Sequence, residues 1–403
     1  MMNVRNFTGF LFFILLIPAG IHQSCSQGNK VIYDTKIQTG ASQTKLYLPL
    51  IRGKRVALVC NQTSLIRKTH LVDSLRSLKI NIRKVFAPEH GFRGEAGAGE
   101  HIGNAIDLKT RIPVVSLYGN KLKPAQEDLA DVDVVVFDIQ DVGVRFYTYI
   151  ATLQYVMEAC AEKNIPCIVL DRPNPNGFYV DGPVLEKPFA SFIGLNPIPI
   201  VYGLTIGEYA GMLNGEKWLA GQVTCSLKVI PLKGYDHTKF YKLPVRPSPN
   251  LPDMAAIYLY PSLCLFEGTA VSVGRGTDFP FQLVGYPGFR EGTVSFTPKS
   301  IPGKVKNPPY EGVECQGINL KEFGEMFIRD YRGIYMFWLS SFYESYPEKE
   351  KFFTDFFKKL AGTDTLSRQI ASGMSEEAIR HSWKPGLDAY KAIRKKYLLY
   401  KDF

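Results

Sequence analysis

Four polar clusters in this sequence carry the residue types of acid/base chemistry. They are Asn61-Gln62-Thr63-Ser64, the run from Pro88-Glu89-His90-Gly91-Phe92-Arg93-Gly94-Glu95 to Glu100, the run from Asp138-Ile139-Gln140-Asp141 to Arg145-Phe146-Tyr147, and Asp171-Arg172-Pro173-Asn174-Pro175-Asn176-Gly177. Carboxylates dominate, so Glu89, Glu95, Asp138 and Asp141 are the catalytic candidates, with His90 beside Glu89. Paired carboxylates are the usual means of glycoside hydrolysis: one protonates the leaving oxygen, and the other acts as nucleophile or base. Asn61, Arg93, Gln140, Arg145, Tyr147, Asp171, Arg172 and Asn174 would form a polar cradle for a hydroxyl-rich ligand. Asn174 and Asn176 suit caps and turns equally well. Glu89 and His90 are not preferred caps, so a chemical role for them is the stronger reading.

The second half adds Arg246-Pro247-Ser248-Pro249-Asn250, Phe266-Glu267-Gly268-Thr269 and Gly274-Arg275-Gly276-Thr277. Asn250, Glu267, Arg275 and Thr277 join the candidate ligand contacts. Gly-Arg-Gly-Thr reads as a tight turn with one exposed guanidinium, a planar fork that suits a carboxylate. Other chemistries lack their motifs. Gly97-Ala98-Gly99 is followed by Ile102 where a third glycine would stand, and there is no Gly-Lys-Ser/Thr, so a phosphate-cradling loop is not expected. No Gly-x-Ser-x-Gly elbow appears. Neither Cys-x-x-Cys nor His-x-x-x-His is present, so no metal or cofactor is expected.

The elements that must position these groups follow from periodicity. The 403 residues are 45% hydrophobic and 21% charged, an ordinary globular composition. Strand patterns at Arg55–Cys60, Ile80–Phe86, Pro113–Leu117, Val132–Ile139, Pro166–Leu170 and Ser226–Pro231 alternate with helix patterns at Leu71–Leu78, Pro124–Leu129, Tyr149–Lys163 and Thr205–Leu213. Alternation of this kind predicts an α/β fold, a Rossmann-like doubly wound and mostly parallel sheet over residues 30–232. The four clusters follow predicted strands, and ligands of such sheets bind outside the strands' carboxyl ends. Residues 233–403 read as a smaller α+β domain closing the cleft. There, strands are expected at Ala270–Val273 and Thr293–Phe296. Helices are expected at Leu320–Arg329, Phe352–Leu360, Glu376–His381 and Leu387–Tyr400.

The charge balance is 48 Lys+Arg against 38 Asp+Glu, or +10. The positive residues are scattered, so no nucleic-acid partner is expected. Arg5 precedes an apolar run from Phe10 to Ile17, a signal peptide over residues 1–24 that is too short to span a bilayer as a helix. Cys25 follows it where a bacterial lipoprotein would be cleaved and lipidated. An exported, periplasmic or cell-envelope location follows, with the membrane engaged only through that anchor. The six later cysteines read as buried free thiols rather than disulfides.

Taken in order, Pro88-Glu89-His90-Gly91-Phe92-Arg93-Gly94, Asp138-Ile139-Gln140-Asp141-Val142-Gly143-Val144-Arg145, Asp171-Arg172-Pro173-Asn174-Pro175, Arg246-Pro247-Ser248-Pro249-Asn250 and Phe266-Glu267-Gly268-Thr269 resemble one family. It is the exo-β-N-acetylmuramidases, glycoside hydrolase family 171, formerly a bacterial domain of unknown function. The resemblance spans essentially the whole chain after the signal peptide. It implies removal of terminal N-acetylmuramic acid from the non-reducing end of peptidoglycan fragments, in a cleft between a Rossmann-like and a smaller domain. The substrate carries a lactyl carboxylate, which Arg145 or Arg275 would read. A non-catalytic muropeptide-binding lipoprotein is the alternative.

Overall fold

The computed structural model describes residues 31–93 and 105–403. The signal-peptide segment, Cys25 and Glu95 lie outside the described residues. The main sheet contains β1 (Arg55–Cys60), β4 (Asn81–Ala87), β5 (Ala105–Ile106), β6 (Pro113–Ser116), β7 (Val134–Asp138), β8 (Cys167–Leu170) and β9 (Leu227–Ile230). A small hairpin, β2 (Leu65–Ile66) and β3 (Thr69–His70), stands apart from it. The order across the sheet is β5-β6-β4-β1-β7-β8-β9. All pairings are parallel except β5 on β6. The six parallel strands therefore stand in the 3-2-1-4-5-6 order of a doubly wound dinucleotide-type fold, with the direction of winding reversing between β1 and β7.

Strand alternation explains the two layers. Val56, Leu58, Val134, Val136, Ile168 and Leu170 pack on one face with α1 (Thr44–Ile51) and α2 (Leu71–Ser77). Ala57, Val59, Val135, Phe137, Cys167 and Val169 face the other way, toward α3 (Tyr149–Glu162) and α4 (Ile206–Gly215). Successive side chains of a strand point to opposite faces, so a strand with a helix layer on each side must be apolar throughout. All five residues of β7 are buried.

The second part begins with α5 (Met254–Leu263), buried at every position. It continues with an antiparallel sheet of β10 (Leu283–Tyr286), β11 (Val294–Phe296) and β12 (Cys315–Asn319), in the order β10-β12-β11. Helices α6 (Lys321–Met326), α7 (Ile328–Tyr331), α8 (Phe337–Ser345), α9 (Lys349–Phe352), α10 (Asp355–Ala361), α11 (Thr365–Ala371) and α12 (Glu376–Arg394) complete it. Four sequence expectations change here. The helix expected over Phe352–Leu360 is broken at Phe353-Thr354, between α9 and α10. Ala270–Val273 is not a strand, and only Ser272 bridges to Gly285. Leu320–Arg329 divides between α6 and α7. The two helices expected after Ser375 are one, running through Pro385. Pro385 lacks an amide proton, which makes it read as a break, yet burial of Ile379, Trp383 and Tyr390 holds the helix together.

Both parts share one hydrophobic core, which runs from Val59 and Phe137 to Ile257, Phe342 and Tyr390. The chain end returns to the first part. Tyr390 donates to the Tyr202 carbonyl at 2.7 Å and Arg394 Nε to the Gly203 carbonyl at 2.9 Å. All six cysteines of the described chain are free and buried.

Candidate active site

A cavity of about 220 Å³ opens between the loops that follow β4 and β7 and the segments around α5 and α10. The β4 loop contributes Glu89 and His90. Pro88 to Gly91 form a turn closed by the Gly91 amide on the Pro88 carbonyl at 3.0 Å. His90 sits at φ +68° within it. A side chain rarely adopts that left-handed conformation, and such strain gathers at functional sites. The strained turn turns Glu89 toward the cavity and His90 toward Ser248, whose Oγ is 3.1 Å from Nε2.

The β7 loop contributes Phe146, Tyr147, Thr148 and Tyr149. Thr148 Oγ1 donates to Glu89 Oε2 at 2.8 Å. Asn61 donates to the Tyr149 hydroxyl at 2.9 Å, and Tyr147 donates to the Pro247 carbonyl at 2.9 Å. Burial pushes the Tyr149 phenol well up, with the nearby Glu89 charge adding to it. The two phenols are therefore neutral hydrogen-bonding groups at any working pH.

The chain after α5 adds Glu267 and Arg275. Arg275 makes its ion pair with Glu267 through Nε. Burial is the largest effect and disfavours the Arg275 cation, but the Glu267 charge and hydrogen bond, with Tyr260 and Cys264, together raise its pKa. The guanidinium also lies 5.2 Å from the Phe281 ring centroid. Among the described residues no cluster of His, Cys, Asp and Glu could hold a metal ion.

The chain matches two consecutive family models, "Exo-beta-N-acetylmuramidase NamZ, N-terminal" over residues 56–255 and the corresponding C-terminal model over 258–400. It is 38% identical, over 98% of both chains, to the peptidoglycan beta-N-acetylmuramidase NamZ of Bacillus subtilis (strain 168). The chain belongs to the NamZ exo-β-N-acetylmuramidase family. Two crystal structures of DUF1343 family proteins from Bacteroides fragilis NCTC 9343 are similar throughout. One has a TM-score of 0.85 at 45% identity, covering 92% of this chain and 100% of its own. The other has a TM-score of 0.76 at 30% identity, covering 91% and 100%.

In this NamZ-family chain the cavity lies where the two family models meet. Glu89, His90 and Tyr147 come from the N-terminal model's span, and Glu267 and Arg275 from the C-terminal one's. Asn250 also lines it, with its amide on the Lys304 carbonyl at 3.0 Å.

The remaining candidates are placed elsewhere. Arg145 is the main correction. It is fully buried, and its guanidinium is spent on four carbonyls: Pro183 and Ile198 through Nη1, Leu360 and Ala361 through Nη2, at 2.7–2.9 Å. Burial lowers its pKa to about 9. It neither lines the cavity nor pairs with Asp138 or Asp141. Asp138 forms a buried bidentate pair with Arg172, at 2.6 and 2.9 Å. Asp141 accepts from the Gly143 amide at 2.6 Å and from the Tyr202 hydroxyl. Asp171 accepts from the Arg172 and Gly207 amides and the Thr205 and Tyr400 hydroxyls.

Gln140 and Asn174 are turned onto backbone carbonyls. Asn61 holds Thr63 as well as Tyr149. Ser64 Oγ donates to the Asp138 carbonyl, and Thr63 Oγ1 accepts from the Gln140 amide. Ser64 and Thr63 thus tie the loop after β1 to the loop after β7, at the position where a doubly wound fold would take a dinucleotide. Arg93 pairs with Asp107 at 2.9 Å, and Thr277 caps its own turn on the Gly274 carbonyl.

Thr148, Tyr149, Ser248, Tyr118, Phe192, Tyr260 and Phe281 also line the cavity, none of them a candidate from the sequence. Thr148 and Tyr149 directly follow the third cluster, and Ser248 lies inside a quoted motif, so adjacency was the available signal. Nothing in the sequence marks Phe192.

Proposed function

We propose that this chain is an exo-acting glycosidase that releases terminal N-acetylmuramic acid from the non-reducing end of peptidoglycan fragments. Family membership supplies the reaction class. The observation that carries the assignment to this cavity is that Glu89 and Arg275, a carboxylic acid and a guanidinium, both line it, one from the span of each family model.

Glu89 serves as the general acid. Thr148 fixes one carboxyl oxygen, which leaves Oε1 to protonate the glycosidic oxygen as the bond breaks. Arg275 reads the lactyl carboxylate, the group that distinguishes N-acetylmuramic acid from N-acetylglucosamine, with a planar fork that lysine lacks. Glu267 holds Arg275 in place and charged while the site is empty. Asp138 and Asp141 are sealed in the frame, so the partner to Glu89 is the substrate's own acetamido oxygen, Glu267, or Glu95, which lies outside the described residues. We further propose, from the N-terminal sequence alone, that the chain is exported and anchored through Cys25.

A chromogenic β-N-acetylmuraminide tests the reading. Hydrolysis releases the chromophore. A non-catalytic muropeptide binder would give saturable binding and no colour.

A further inference from the structure

The cavity grades from a closed floor to an open, aromatic mouth. Its floor rings are sealed: Tyr149 and Phe281 are each 1% exposed. Its mouth contains Tyr118, Phe192 and Ile193, all partly exposed, and Phe356, which is 41% exposed. Phe192 and Ile193 form the tip of a two-residue hairpin, closed by reciprocal Ser191 and Gly194 backbone bonds at 2.9 Å. The Phe192 ring is nearly parallel to Tyr155 of α3, at 2° with centroids 6.4 Å apart, and lies 6.2 Å from Tyr118. The hairpin is rigidly based. A Cβ at Gly194 would come within 3.3 Å of Arg145 Cδ, so the buried arginine is packed directly beneath it.

A phenylalanine held partly exposed at a tight turn, beside two further rings, gains little for folding. It offers a flat apolar surface at the point where a glycan leaves the cavity. An exo-acting enzyme puts its terminal sugar inside and the leaving sugar at the mouth. From this juxtaposition we propose that Phe192, flanked by Tyr118, is the stacking platform for the leaving pyranose, the sugar on the reducing side of the cleaved bond. The proposal rests on the muramidase reading above and adds a second saccharide subsite to it. The pyranose C–H face packs on the ring, which orients the glycosidic oxygen toward Glu89.

The full chain and its Phe192→Ala and Phe192→Trp variants are compared on two substrates that share the terminal sugar. One is methyl β-N-acetylmuraminide, which has no leaving ring. The other is the β-1,4-linked disaccharide of N-acetylmuramic acid and N-acetylglucosamine. Phe192→Ala is expected to lower kcat/KM on the disaccharide roughly 3- to 10-fold, mainly through KM. The methyl glycoside should be unaffected, and Phe192→Trp should restore the disaccharide rate. Equal losses on both substrates would overturn the platform, as would no loss on either. If the unsubstituted protein cleaves neither, the muramidase reading itself falls and takes this subsite with it.

Discussion

Arg145 Nη2 donates to the carbonyl of Ala361 at 2.7 Å, joining the loop after β7 to the C-terminus of α10 across 216 residues of sequence. The last carbonyls of a helix have no partner within it, and a cation there satisfies them and complements the helix dipole. With Leu360 and Phe356 of α10 lining the cavity, this arginine fixes one wall against another. Sequence type alone made it a ligand reader. Burial and four carbonyl partners make it a clamp.

Arg145→Met should therefore act on stability. It strands the Pro183, Leu360 and Ala361 carbonyls at ~1–3 kcal/mol each, while Ile198 keeps the Leu185 amide, so a loss of at least ~3 kcal/mol is expected. Arg145→Lys, which keeps the charge and fewer donors, should fall between. Urea unfolding midpoints measure both. An unchanged midpoint with altered selectivity between muramide and glucosaminide would return Arg145 to the ligand.

Arg275→Met should instead act on selectivity. A charge-assisted hydrogen bond is worth ~1.5–3 kcal/mol, so kcat/KM on a β-N-acetylmuraminide should fall roughly 10- to 150-fold. Activity on the matching glucosaminide should stay at its low baseline. Kinetics on the two substrates decide it. An unchanged ratio would remove Arg275 from recognition of the lactyl group.

Asp171 should give the fold a measurable pH dependence. Burial raises its pKa to about 7, against the four donors that favour its charge. The unfolded carboxyl titrates near ~3.9. Between those values the folded state holds the proton and the unfolded state does not, so stability falls as pH rises from about 4 to about 7 and then levels. Asp141, raised to about 6 by burial, adds to the same slope. Melting temperatures from pH 4 to 8 should show this decline, with a shallower slope in Asp171→Asn. A flat wild-type profile would refute the burial argument.

The doubly wound sheet was legible because its signal is local. Val134 to Asp138 is apolar at nearly every position, and only a strand covered on both faces has reason to be. The site was legible in part. Glu89 and His90 stood out as poor caps in a dense polar loop, and Glu267 and Arg275 as charges in tight glycine-bearing segments. The frame residues Asp138, Asp141, Asp171 and Arg172 carry the same chemical types, and their sequence does not say that they face one another. That depends on long-range pairing, such as Arg172 with Asp138 across 34 residues. Phe192 was invisible for the related reason that an aromatic residue reads as core until its exposure is known.

If Glu89 is the general acid of exo-hydrolysis, its loss must stop release of the terminal sugar. Free N-acetylmuramic acid can be followed by mass spectrometry as the full chain and Glu89→Gln act on oligosaccharides bearing that sugar at the non-reducing end. The wild-type protein should release the free sugar from that end, and Glu89→Gln should do so ~10²–10⁴-fold more slowly with an unchanged melting temperature. Release at the wild-type rate by Glu89→Gln would rule Glu89 out as the general acid, and binding without release by the wild type would make the protein a muropeptide binder.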